Sequence, residues 1–198
     1  GKVVAQVLET AGFEIAGFID DNEQLRGKRV LGYPVLGGRE KLAELKGCKA
    51  IVSIGDNLFR KDVFEQLRQE GFEMVTAVHP SSQLHKTVRI GRGSLVMPGV
   101  VVNADTVIGD NCILNTSCSI DHDCRIGDHV HIAPNSTLGG GVTVGEETLI
   151  GIGSCILPHI EIGKGTTVGG GAVVIRDVPD YTTVVAVPAR ILQKAEEI

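Results

Sequence analysis

Residues 107–132 read VIGDNCILNTSCSIDHDCRIGDHVHI. An aliphatic side chain returns at every sixth place: Ile108, Leu114, Ile120, Ile126 and Ile132. A period of six fits neither an α-helix, with about 3.6 residues per turn, nor an alternating strand, with a period of about 2. Followed outward in both directions, the same frame runs without insertion from Leu84 to Val174, sixteen consecutive hexamers. One strand and one turn per six residues, with a single obligatory inward aliphatic, is the pattern of a parallel β-helix. Three hexamers close a triangular coil. Coils stack about 4.8 Å apart, so about five of them form a prism roughly 25 Å long.

The frame accounts for the composition. The 198 residues include 26 glycines but only five Phe, two Tyr and no Trp. None of those aromatics falls between residues 73 and 180, the stretch that has to fill a narrow aliphatic interior. The fifth place of a hexamer is often glycine (Gly91, Gly109, Gly127, Gly139, Gly145, Gly151, Gly163, Gly169), read as a corner residue at positive φ. Cys112, Cys118 and Cys124 are six apart, hence on three different faces of one coil. They are read as small buried thiols, neither disulfide-bonded nor metal-binding. With Cys48 and Cys155 the count is odd, which fits a reducing, cytoplasmic setting. Repetition ends after Arg176. A capping loop is expected over 177–189 and a short helix over 190–198.

Before residue 80 the pattern changes. Helical spacing over 2–11, an extended run 13–19, a short helix 39–46, a strand 49–54, a helix 58–70 and a strand 72–78 alternate. The apolar face of the longer helix is read as Leu58, Val63, Phe64 and Leu67. Such alternation predicts an α/β, Rossmann-like domain over 1–79, ahead of the all-β prism and its cap over 80–198. The chain starts inside a helix, so the first strand and glycine turn are expected upstream of Gly1. Asp20, Asp21, Gly55 and Asn57 fall at strand ends, where ligands bind in open parallel sheets. Two readings stay open for them: a nucleotide site, or ordinary turn chemistry.

Bulk properties exclude several classes. The net charge of −5 and the absence of any basic run argue against nucleic acid. No apolar stretch approaches the roughly 20 residues of a membrane span. A chain 42% hydrophobic and 22% charged is not disordered.

Chemistry has to come from residues that break the repeat. IDHDCRIGDHVHI (120–132) packs three histidines and three aspartates beside coil corners. A histidine next to a carboxylate has its tautomer fixed and serves as a general base. His129 is read as a solvent-facing turn residue, and His79, His85 and His159 as structural. A zinc site built from His122, His129 and His131, as in γ-type carbonic anhydrases, is disfavoured because the three occupy different repeat positions. A non-catalytic scaffold would not need the cluster.

FIDDN (18–22), SIGDN (53–57), the hexamers, ILNTSCSIDHDCRIGDHVHIAP (113–134), LIGIGSCILP (149–158), VGGGAVV (168–174) and VPARI (187–191) carry a resemblance. The chain resembles bacterial sugar acetyltransferases that join a Rossmann-like domain to a left-handed β-helix, both PglD-like N-acetyltransferases and NeuD-like sialic acid O-acetyltransferases. The resemblance implies a left-handed coil, a homotrimer with sites between subunits, acetyl-CoA as co-substrate, and no tightly bound cofactor or metal. It implies acetylation of a nucleotide-linked aminosugar, with a sialic acid hydroxyl as the alternative acceptor. His122 matches the catalytic base and Asp123 the acid that orients it, where the family often has Glu. His131 matches the histidine near the thioester carbonyl. Gly140, Gly151, Ile152 and Gly170 match the coenzyme A channel, and Asn115 the active-site coil. Asp20 and Asp21 match the nucleotide-sugar site, and Gly55 and Asn57, at a strand end of the same domain, are taken with them as substrate-binding candidates. Ala186 stands where the family usually has glycine.

Overall fold

A computed structural model describes residues 1–194 of the chain. Every hexamer from Gln83–Leu84 to Val173–Val174 forms a two-residue strand, and strands eighteen residues apart pair in parallel. Three sheets result. Face 1 holds Ala77–Val78, Leu95–Val96, Ile113–Leu114, His131–Ile132, Leu149–Ile150 and Thr167–Val168. Face 2 holds six strands from Gln83–Leu84 to Val173–Val174, among them Ser119–Ile120. Face 3 holds five, from Arg89–Ile90 to Glu161–Ile162, among them Arg125–Ile126. Face 1 thus begins with Ala77–Val78, the end of the run read as one strand over 72–78.

The inward aliphatics are sealed. Leu114, Ile132, Ile150 and Val168 are 0% exposed, and no aromatic enters their cluster. From Ser94 to Ala172 the second place of the hexamer is also buried and carries mostly small residues. Ser94, Thr106, Ser136 and Thr148 each donate a hydroxyl to a carbonyl fifteen residues on, at 2.7–2.9 Å. Cys112 and Cys124 fill the same rung, their Sγ atoms 3.1 and 3.3 Å from the carbonyls of Gly127 and Gly139. Burial pushes the Cys112 and Cys118 thiols up to about 12, so the three internal cysteines are inert packing groups.

One expectation about glycine is corrected. Positive φ recurs every sixth residue from Gly93 to Gly171, at the first place of the hexamer, two residues beyond the fifth-place glycines. Asp105, Asn111, Ser117, Asp123, His129, Asn135, Glu147 and His159 hold that conformation as non-glycine residues. The fifth-place glycines answer to space. A Cβ on Gly127 would stand 2.7 Å from the Glu146 backbone nitrogen one coil further on.

The amino-terminal region has its own core of Leu42, Val52, Phe64, Leu67 and Met74. Phe18–Ile19 pairs in parallel with Tyr33–Gly37, and Lys49–Ala50 with Glu73–Met74. The short helix expected at 39–46 is a 3-10 helix, Arg39–Leu45. Helix α1 (Lys2–Thr10) presses Val7 into the prism core. Helix α2 (Asn57–Gln69) is capped by Asp56, whose side chain accepts the Phe59 N–H at 2.8 Å. Its buried face corrects the sequence reading: Arg60, Phe64 and Leu67 face inward, while Leu58 is 60% exposed. At the far end Thr182–Val185 and Arg190–Lys194 form an antiparallel hairpin on face 1. The expected helix over 190–198 is therefore a strand as far as 194, where it completes an open sheet edge. Residues 195–198 lie outside the described residues.

Candidate active site

The turn between faces 2 and 3 carries Asp121-His122-Asp123. Asp121 Oδ1 accepts the His122 backbone N–H and the Asn103 side-chain amide, each at 2.8 Å, which fixes the loop. Asp123 sits at φ 60°, a conformation Asp tolerates better than most residues. From there its Oδ2 lies 2.8 Å from His122 Nδ1, so the shorter side chain reaches the imidazole from the left-handed turn. That bond and the Asp121 charge raise the His122 pKa above its ordinary value. The imidazole is 58% exposed, and no described residue bonds its Nε2. An exposed Nε2 opposite a carboxylate-bound Nδ1–H is the arrangement of a general base. Gly140, one coil further on, lies under the ring: a Cβ there would stand 2.8 Å from His122 Nε2.

His131 differs in every respect. It lies on face 1, half-buried, and burial, helped by the nearby Arg60 charge, lowers its pKa to about 4. It is neutral at physiological pH. Its Nε2 faces the Asn115 side-chain amide nitrogen at 3.1 Å. Asn115 Oδ1 accepts the Thr116 N–H at 2.8 Å, so its NH2 is the group turned to the ring. With the amide so placed, His131 Nε2 accepts from Asn115 and the proton of the neutral ring sits on Nδ1.

The other candidates divide by corner. Ile152, 59% exposed, and Gly170 share the corner between faces 1 and 2, with Gly151 at the end of face 1. Asp20 is exposed, and its side chain accepts the Asn22 N–H at 2.9 Å. Asp21 Oδ1 accepts the Arg39 N–H and Oδ2 the Arg39 Nε–H, at 2.9 and 2.7 Å, which holds its carboxyl below the usual range. Gly55 is exposed. Asn57 departs from the strand-end reading, because its amide donates to the carbonyls of Glu147 and Thr148 on the prism at 3.0 and 3.1 Å. His129 is corrected outright. It is 5% exposed, bonded through Nδ1 to the Asn111 amide at 2.9 Å and edge-on to Phe64. Its ring lies under α2, which periodicity within the prism alone does not reveal. The sequence reading also missed Arg60. Its signal was an arginine in the 57, 60, 64, 67 helical stripe, opposite turn residues spaced by eighteen.

His122, His129 and His131 thus sit at two corners and on one face, and among the described residues no three His, Cys, Asp or Glu groups converge on a metal position. No helix among them is long and apolar enough to cross a membrane.

A hexapeptide prism with a histidine–carboxylate pair on an exposed corner, joined to an α/β domain, defines a β-helix acyltransferase. Residues 1–67 match the PglD N-terminal domain, and residues 87–118 and 105–140 match the bacterial transferase hexapeptide (six repeats). PerB from Caulobacter crescentus, solved with CoA and GDP-perosamine, superposes with a TM-score of 0.91 at 42% identity, covering 97% of this chain and 92% of that one. The acetyltransferase domain of PglB from Neisseria gonorrhoeae FA1090, in complex with acetyl coenzyme A, gives 0.92 at 36%, covering 96% and 93%. GDP-perosamine N-acetyltransferase of Escherichia coli O157:H7 is 33% identical over 153 residues, 76% of this chain and 68% of that protein. The chain belongs to this family of sugar N-acetyltransferases, with a PglD-type α/β domain and a left-handed β-helix.

Proposed function

We propose that the protein transfers the acetyl group of acetyl-CoA to the amine of a nucleotide-linked 4-amino sugar, in the cytoplasm, for surface glycan or glycoprotein synthesis. The observation that carries this reading is the His122–Asp123 pair, exposed at one corner of a chain whose relatives over most of its length include GDP-perosamine N-acetyltransferases. These relatives favour an amine over a sialic acid hydroxyl, and a GDP-linked sugar as the first acceptor to test. His122 Nε2 takes a proton from the amine as it attacks the thioester carbon. The tetrahedral intermediate then collapses and CoA leaves as the thiol, with the proton returned by His122. Backbone N–H groups stabilise the oxyanion. The amino-terminal domain, 1–79, holds the nucleotide near Asp20, Asp21 and Gly55, while Asn115 and His131 lie on the catalytic coil.

The same reading includes a homotrimer. The corner that bears His122 and Gly140 lies across the prism from face 1, which bears His131 and the end of Asn115's strand. One chain does not bring these groups together, whereas adjacent prisms packed about a threefold axis do. Each site then takes His122, Asp123 and Gly140 from one subunit. Asn115, His131, Gly151, Ile152 and Gly170 come from its neighbour. With GDP-perosamine and acetyl-CoA, thiol release should be robust, and His122→Ala should lower kcat by about 100-fold or more. Near-normal turnover in that variant would remove His122 as the base.

A further inference from the structure

Helix α2 lies along the corner between faces 3 and 1. Four coils present there, in one column, Gly93, Asn111, His129 and Glu147, all at positive φ. Phe64 fills the space a Cβ on Gly93 would take, 2.5 Å away, and stands edge-on to His129 with ring centroids 5.7 Å apart. Lys61 pairs with Glu147. Between them Arg60 is 1% exposed. Its guanidinium donates to the carbonyls of Asn111 at 3.1 Å and His129 at 2.6 Å on the prism. On the other side it donates to the carbonyls of Ile54 and Gly55, both at 3.3 Å. No carboxylate is among these partners. Burial lowers its pKa to about 10, which leaves it charged at neutrality.

A buried cation without an anion is costly unless its donors are matched. A lysine would neutralise nothing more here and would hold fewer acceptors. The planar fork alone grips both domains at once. The carbonyls it grips are informative. Ile54 and Gly55 belong to the SIGDN loop, and Asn111 and His129 belong to the coils that carry Asn115 and His131. On those coils the His131 ring faces the Asn115 side chain at 3.1 Å.

We propose that Arg60 is a positioning residue: it fixes the 53–57 loop, and with it the strand-end residues of the first domain, over the catalytic coil. It contacts no substrate. The kinetic arm of the test rests on the proposed acetyl transfer to a nucleotide aminosugar; the spectroscopic arm does not.

Arg60→Lys keeps the charge and removes the fork. It should raise the KM for GDP-perosamine about tenfold or more and leave that for acetyl-CoA unchanged. Lys61→Met, at the same seam, should leave both unchanged. In nitrogen-15 spectra the backbone amide signals of residues 53–57 should shift and broaden in Arg60→Lys and stay in place in Lys61→Met. An unmoved acceptor KM with unmoved 53–57 signals overturns the proposal, as does an equal rise in KM for both variants. If Arg60→Lys does not fold, the wild type still decides: adding GDP-perosamine should shift the Arg60 Nε–H and the 53–57 amide signals, and no shift in either overturns it. Wild-type protein that acetylates no nucleotide aminosugar defeats the proposed function, and the 53–57 amide signals of Arg60→Lys then decide the role of Arg60 by themselves.

Discussion

At the scale of single residues, two histidines nine positions apart have opposite electrostatic surroundings. His122 is exposed and leans on Asp123 and Asp121, so its pKa is raised; His131 is half-buried beside a cation, so its pKa is lowered. A base works in its neutral form. Activity should therefore rise with pH through a pKa above the ordinary histidine value of about 6.5. Asp123→Asn removes the largest cause of the upward shift. Its acid limb should move to lower pH, and its plateau should fall by about 10- to 100-fold because the amide no longer enforces the Nδ1–H tautomer. A kcat/KM profile measured for both proteins decides it: an unmoved limb means Asp123 does not orient the base. The DHD triplet was legible in the sequence because it interrupts an aliphatic period with groups that a rod does not require. The environment of His131 was not, because the Arg60 charge that adds to its burial lies more than seventy residues away in the chain.

At the scale of the coil, each place in the hexamer answers to a different physical demand. The fourth place fills the interior, the second ties adjacent coils where it carries a hydroxyl or thiol, the first takes left-handed φ, and a glycine at the fifth has no room for a Cβ. This separates two kinds of glycine that look alike in a sequence. A Cβ on Gly145 would collide with the Lys164 backbone, whereas one on Gly153, at φ 65°, meets nothing within 4 Å. Gly145→Ala should cost about 1–3 kcal/mol or more through overpacking, and Gly153→Asn should be near neutral, since Asn tolerates left-handed φ. Thermal unfolding of the two variants measures the difference, and equal losses would refute the division. The period was legible because one inward residue recurs without fail. The corner conformation was assigned to the wrong glycines because composition shows only that small residues are frequent. The carboxyl-terminal hairpin was hidden for a related reason: RILQK reads as helix by local propensity, but an open sheet edge beside it offers backbone partners.

At the scale of the molecule, the division into an α/β region and a prism was visible from aromatic and glycine usage, whereas the seam between them was not. The docking residues on α2 and the prism are scattered in sequence and meet only when helical and eighteen-residue periods are laid side by side. The proposed shared sites make a further prediction. His122→Ala and Gly170→Trp would disable opposite halves of the site, so mixed trimers formed from the two inactive proteins should recover about a quarter of wild-type activity. No recovery after subunit exchange, verified by mass, would place the whole site within one chain. The uninterrupted count from Leu84 to Val174 also makes the prism a ruler. The height at which α2 is clamped and the height of the catalytic corner are both marked off in steps of one coil. A single inserted residue would rotate everything beyond it onto the wrong face, whereas a whole added coil would preserve every facing. Length in this architecture changes by complete turns, and gradual drift is confined to the first domain and the cap.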